Sequence, residues 1–384
     1  MIRSAILICA GIIVAACFAC VPAPPSPMAT SGSRPLPVTS PTCPDGSAFL
    51  SHVQLVLGGY DPSSNYGNPP PAGIGTPIDA SSTYAPALAD AFQLAPTAFQ
   101  SRLCGLTAIY INGPANCGSL AACDSNSWGY RPGSAPTQAY VAISAALWNL
   151  TCPNSKGPYL FSCFEGDLFD AALNLPASNT QAPRHGHANS DADNFYMTIL
   201  AALAHEVGHV RWYQVMNPTN PGTQNYDPNT FCTSGGQPGF FTYSWYGWQG
   251  KVTVPPYWLG FAERDSIDQH LSGDSDIGTI DKYVQNNDLK HAAPLIDKLY
   301  QSGDPWPSFF SAVSPEEDFV ETYKFYMLTN VQDNKITGYG HLKSLPTTIY
   351  GGASPFNENI PVDYFSTSGK PNLHNKTSCI ATII

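Results

Sequence analysis

The chain has 384 residues, 43% of them hydrophobic and only 12% charged, with 36 Pro and 32 Gly. That is enough apolar sequence for one large domain or two ordinary ones, and it excludes global disorder. A formal net charge of −11 argues against nucleic acid or an anionic lipid surface as the main partner.

The N-terminus, "MIRSAILICAGIIVAACFAC", has a basic residue at Arg3 followed by an apolar run. It predicts a signal peptide over residues 1–20, followed by a Pro/Ser-rich spacer over 21–42. The apolar run is short for a membrane anchor. "VAAC" before Phe18 resembles a bacterial lipoprotein cleavage box, which would make Cys17 a lipid-anchor site. The remaining 43–384 reads as one domain, secreted or otherwise extracytoplasmic.

Of eleven cysteines, Cys9, Cys17 and Cys20 fall in the leader. The eight that remain are an even count in an exported chain, which predicts four disulfides and not a thiolate zinc ribbon. Asn149 and Asn375 open Asn-x-Thr glycan acceptors that matter only in a eukaryotic host.

Residues 43–190 carry short β-branched and aromatic runs at 106–113, 127–131 and 139–144, bounded by Gly, Pro and Asn. They predict a small twisted sheet, with helical turns at "APALADAFQ" and "ALWNL". From Asn189, "NSDADNFYMTILAALAHEVGHVRWYQVMNP" predicts one long helix, capped by Ser190 or Asp191 and stopped by Pro218. Further helices are expected at "WLGFAERDSIDQHL", "DKYVQNNDLKHAAPLIDKLYQ" and "SPEEDFVETYKFYMLTNV". The last begins with Ser314 and then Pro315 at the first helical position. The half from 191 to 337 is therefore mainly helical, and 338–384 reads as a loop-like tail held by Cys379. The class is α+β.

Within the long helix, His205 and His209 are four residues apart and share one helical face. Two imidazoles so placed suit one metal ion, and Glu206 is placed to act on a water there as general base. This is the HExxH arrangement. Gly208, mid-helix, implies close packing against another element, since Gly costs about 1 kcal/mol relative to Ala there. Two core histidines on an ordinary helix are the plainer alternative.

A catalytic zinc usually takes three protein ligands. A third histidine six residues after His209 is absent, since position 215 is Val and position 212 is Trp, which excludes the metzincin pattern. Glu317 and Glu321 lie one turn apart, so one can bind metal while the other hydrogen-bonds a ligand imidazole. Glu316 is explained by the helix dipole alone. A rival cluster, Glu263, Asp265, Asp268 and His270, falls within the gap between His209 and Glu317.

With "AHEVGH" followed by "EEDFVE", the chain resembles the gluzincin branch of the zincin metallopeptidases, and "EDFVETY" is most similar to lethal-factor-like bacterial zincins. The resemblance covers about a tenth of the chain. It implies a zincin-like fold and one catalytic zinc held by His205, His209 and Glu317. Glu206 would be the general base and Glu321 the partner of a ligand histidine. It further implies a metalloendopeptidase acting on a peptide or protein substrate. Tyr339 or His341 is a candidate oxyanion donor, with Tyr323 in competition. The substrate would pair as an extended strand with an edge of the upstream sheet, for which Ala139–Ser144 is the expected strand. Two alternatives stay open: an adhesion or glycan-binding module using the aromatic run from Phe240 to Trp248, or a zinc that is structural only.

Overall fold

The computed structural model describes residues 42–58, 75–112, 128–130, 139–151, 159–161, 163–165, 194–216, 232, 240, scattered positions from 279 to 312, 315–332, 344–351, 355–361 and 371–384. All lie in the compact unit Ser40–Ile384.

Helix α1 (Gly46–His52) starts at Asp45, whose side chain accepts a hydrogen bond from the Ala48 amide at 2.8 Å. Val53 turns the chain straight into β1 (Gln54–Leu57). Strand β2 (Thr76–Ile78) pairs antiparallel with it. Helices α2 (Ala85–Leu94) and α3 (Thr97–Cys104) then lead to β3 (Ala108–Asn112), which lies parallel to β1. Strand β5 (Tyr140–Ser144) is parallel to β3, and β4 (Trp128–Tyr130) is antiparallel to β5. The strand order is β2-β1-β3-β5-β4.

This order corrects one expectation. The run 139–144 is not an edge strand, because it is paired on both sides; among the described residues the edge strands are β2 and β4. The parallel centre of the sheet is covered on both faces, as parallel strands require. Leu55, Ile109, Ile111, Val141 and Ile143 join the main core. Their alternates Val56, Tyr110 and Ala142 form a second buried cluster on the opposite face. In the main core Phe49 of α1 stacks on Phe92 of α2 with centroids 4.6 Å apart.

Helix α4 (Phe195–Met216) packs against α2, β4 and β5. Its start differs from expectation. Asn194 is the cap, its side-chain oxygen accepting from the Met197 amide at 2.9 Å, and Ser190 and Asp191 lie outside the described residues. Asn satisfies the exposed amides of a first turn as well as Ser or Asp does, and here it adjoins the first buried turn.

Helix α5 (Pro315–Thr329) begins at the predicted proline and crosses α4. The expected loop-like tail instead contains a hairpin, β6 (Ser344–Gly351) with β7 (Pro355–Pro361), and a last helix α6 (Pro371–Ile383) against α5.

Disulfides join Cys43 to Cys104 and Cys232 to Cys379, and Cys163 is also disulfide-bonded. Such bonds favour an oxidising, extracytoplasmic compartment. Among the described residues no helix is long and apolar enough to cross a membrane. The leader with Cys17 lies outside the described residues.

Candidate metal centre

The centre is made where α4 meets α5. A Cβ built on Gly208 would lie 3.1 Å from Val320 Cγ1 and 3.2 Å from Val320 Cα. A hydrogen there lets the two helices approach more closely than any side chain would, as the mid-helix glycine implied. Glu316, Glu317 and Glu321 flank Val320 on α5, so the close approach carries all three carboxylates to the histidines of α4.

Both imidazoles are gripped at Nδ1. His205 Nδ1 lies 2.8 Å from Glu321 Oε1, and His209 Nδ1 lies 2.7 Å from Glu316 Oε1. An Nδ1–H donated to a carboxylate leaves the Nε2 lone pair outward as a ligand. Both Nε2 atoms point at one carboxylate: His205 Nε2 is 3.6 Å from Glu317 Oε2, and His209 Nε2 is 3.7 Å from Glu317 Oε1. Those separations are too long for hydrogen bonds. Two ligands at 2.0–2.1 Å from a tetrahedral ion stand roughly 3.4 Å apart, close to what is found. His205, His209 and Glu317 thus form a group whose donor atoms all lie within 4.8 Å of one another and could hold a metal ion. The donor set, two imidazole nitrogens and one carboxylate oxygen, fits zinc. The side chains of His209 and Glu317 stay 17% and 18% exposed, so the group lies near the protein surface on that side.

The electrostatics of the two rings differ. Burial depresses His205 to about 4, outweighing the opposing hydrogen bond it donates to Glu321, so it is neutral. Burial also works against charge on His209, but Glu317, Glu316 and Glu206 together lift it to about 10. The proton held there answers a dense negative field, and a divalent cation answers the same field. Glu206, 5% exposed on the turn shared with both histidines, contributes to it.

Behind Glu321 the polar network continues. Its Oε2 accepts from Ser308 Oγ and, at 2.8 Å, from Lys324 Nζ. Lys324 in turn donates to Glu165 Oε1 at 2.7 Å. Burial would raise Glu321, but the Lys324 ammonium and the His205 ring hold it below the usual carboxylate range. On its far side α5 is tied to α6, where Lys376 Nζ bonds both oxygens of Asp318 at 2.6 and 2.7 Å, all fully buried.

The structure therefore brings together His205, Glu206, His209, Glu317 and Glu321. It also corrects the reading of Glu316, which is a partner of His209 and not merely a dipole-favoured acid. The signal for it was a count: two histidines and three glutamates supply one ligand carboxylate and one Nδ1 partner per ring. Ser308, Lys324 and Glu165 carried no sequence signal, because fully buried Lys is too rare to expect. Tyr323 is removed as an oxyanion donor. Its ring is fully buried against Phe99 and Phe319, and burial pushes its hydroxyl to about 12. Phe240, first of the aromatic run, is core, packed on Phe319. Tyr339, His341 and the rival cluster Glu263, Asp265, Asp268 and His270 lie outside the described residues. The chain matches no family model, no curated protein and no solved structure.

Proposed function

We propose that the chain is an exported zinc-dependent metalloendopeptidase of gluzincin type, with His205, His209 and Glu317 as ligands and Glu206 as general base. The observation that carries this reading is the paired Nδ1 grip of Glu321 and Glu316, which turns both Nε2 atoms onto one carboxylate beside a buried glutamate. A structural site would have no use for Glu206.

The ion, when bound, would supply Lewis acidity, polarising a scissile carbonyl and bringing a water's pKa towards about 7. The chain's own groups do the rest. Glu316 and Glu321 fix the ring orientations. Glu206 accepts the proton of the attacking water and returns it to the departing amine. The antiparallel edge strand β4, packed on α4, is the chain's candidate for aligning an extended substrate.

The test is a mixed peptide library digested with and without chelator. Wild type is expected to hold about one zinc per chain and to cleave. Glu206→Gln should keep the zinc and lose about 10²- to 10⁴-fold in activity. Equal, chelator-sensitive cleavage by both proteins would refute the assignment of the base. A zinc-loaded wild type that cleaves nothing would favour the structural-zinc alternative.

A further inference from the structure

The polar network behind His205 extends further than an orienting hydrogen bond needs. Glu321 is 0% exposed and already bonded by the His205 ring and the Ser308 hydroxyl, yet a whole ammonium is buried beside it. Lys324 is itself 0% exposed and spans two carboxylates, Glu321 on its own helix and Glu165 on the 159–165 segment. The rings of Phe325 and Phe164 stand 4.7 and 5.8 Å from its nitrogen, which shuts out water and leaves few alternative positions. The same segment is tied to α4, because Thr198 Oγ1 donates to the Tyr159 carbonyl at 2.9 Å. His205, Glu321, Lys324, Glu165 and Thr198 therefore close a ring of contacts through α4, α5 and the segment leading away from the sheet.

We propose that Lys324 is a positioning residue of the metal centre, locking the Glu321 carboxylate between Glu165 and His205 so that His205 Nε2 points at Glu317. The inference rests on the metal reading above and extends it two residues outward. Without Lys324 the buried Glu321 carboxylate would lose its ammonium partner and keep only the Ser308 hydroxyl and the His205 ring. It would rotate or draw in water, and its Oε1 would no longer hold the ring in one direction. Glu165 supplies the second anchor. Either its charged or its neutral form offers an oxygen to the ammonium, so the anchor needs a carbonyl-type acceptor and not a formal charge.

A merely structural role predicts something different. Buried ion pairs can often be replaced by apolar groups of similar volume without loss of stability. The double variant Lys324→Met/Glu165→Gln removes the cation and one acid together and keeps volume, and Lys324→Met alone is run beside it. Zn²⁺ affinity is read by competition with a chromophoric chelator. Co²⁺ is the spectroscopic probe, its visible bands reporting ligand geometry. Near-UV circular dichroism identifies the variants that keep native packing.

Folded Lys324→Met or the double variant is expected to bind Zn²⁺ about 10-fold more weakly and to give an altered Co²⁺ spectrum. Glu165→Gln alone, whose amide oxygen still accepts from Lys324, should stay near wild type. Phe49→Leu, a core change outside the network, should lower stability and leave affinity alone. Wild-type affinity and spectrum in a folded Lys324→Met variant would overturn the inference while leaving the centre intact. An equal affinity loss in Phe49→Leu would also overturn it, since general loosening would then explain the effect. A wild type that binds neither Zn²⁺ nor Co²⁺ would remove the centre itself, and this inference with it.

Discussion

Gly208→Ala tests whether the approach of α4 and α5 is what assembles the centre. In an exposed helix this change would stabilise by about 1 kcal/mol through propensity. Here the new methyl would meet Val320 at 3.1 Å from Cγ1, 3.2 Å from the backbone α-carbon and 3.4 Å from Cβ. Carbon atoms in ordinary van der Waals packing stand about 3.5–4.0 Å apart. The crowding at Cγ1 can be relieved only by a poor rotamer, because valine in a helix keeps essentially one. The crowding at the backbone cannot be relieved by any side-chain rotation, so α5 must retreat by roughly 0.4 Å to restore ordinary packing. Overpacking of this kind costs about 1–3 kcal/mol. Set against the propensity gain, the net loss of stability is about 0–2 kcal/mol.

The larger effect falls on the metal. Glu317 and Glu321 flank Val320 and move with it, while a metal site tolerates about 0.2 Å in its ligand distances. Zn²⁺ affinity, measured by chelator competition, is therefore expected to fall at least about 10-fold. Thermal and urea unfolding in excess chelator should show only the small stability change. In Gly208→Ala/Val320→Ala the methyl at Cγ1 is gone and the crowded backbone of α5 stays, so affinity should recover in part, a coupling that a double-mutant cycle measures. A Gly208→Ala protein with raised melting temperature and undiminished Zn²⁺ affinity would refute the reasoning.

Glu317→Ala should abolish tight Zn²⁺ binding, whereas Glu316→Ala and Glu321→Ala should each weaken it about 10- to 100-fold; equal loss in all three would contradict the separate roles. Burial raises Glu165 to about 7, outweighing Lys324. A carboxyl so raised contributes stability that is complete below its unfolded pKa of about 4.3 and is lost as pH rises through about 7. Wild type should therefore lose urea resistance between about pH 5 and pH 8 more steeply than Glu165→Gln, and parallel profiles would count against this. Cys232→Ser/Cys379→Ser opens a crosslink spanning 147 residues and should cost about 2–5 kcal/mol in urea unfolding; an unchanged midpoint would show that α6 is held without it.

What could be read from the sequence was local, and what could not was relational. The phase of His205 and His209, the need for Gly208 and the start of α5 at Pro315 each depend on spacing within one element. The strands at 108–112, 128–130 and 140–144 were legible for the same reason. Their order was not. Whether 139–144 lies at an edge depends on where β4 returns, and no periodicity within β5 records that. Glu316 was misjudged because a first-turn acid is adequately explained by the dipole, and only the position of His209 on another helix gives it a second task. The tail was misjudged because "PNLHNKTSCIATII" buries Lys376, a residue type that ordinarily marks an exposed face.

That burial of charge accounts for the rotation of α5 about its own axis. Glu316, Asp318, Glu321 and Lys324 are each at most 7% exposed. Buried charges are tolerated only when paired and hydrogen-bonded. All four find partners off α5: Glu316 at His209 and Glu321 at His205, both on α4, with Ser308 also on Glu321, Asp318 at Lys376 on α6, and Lys324 at Glu165. A turn of about 100° about the axis, one residue's worth, would strand all four at once. An apolar stripe can slide or roll within a core at modest cost, but a helix pinned by charge on several sides has a single setting. That setting points Glu317, the one acid of the group left partly exposed, at the two Nε2 atoms. The fixed orientation of the proposed third ligand is thus a consequence of where its neighbours' charges are satisfied.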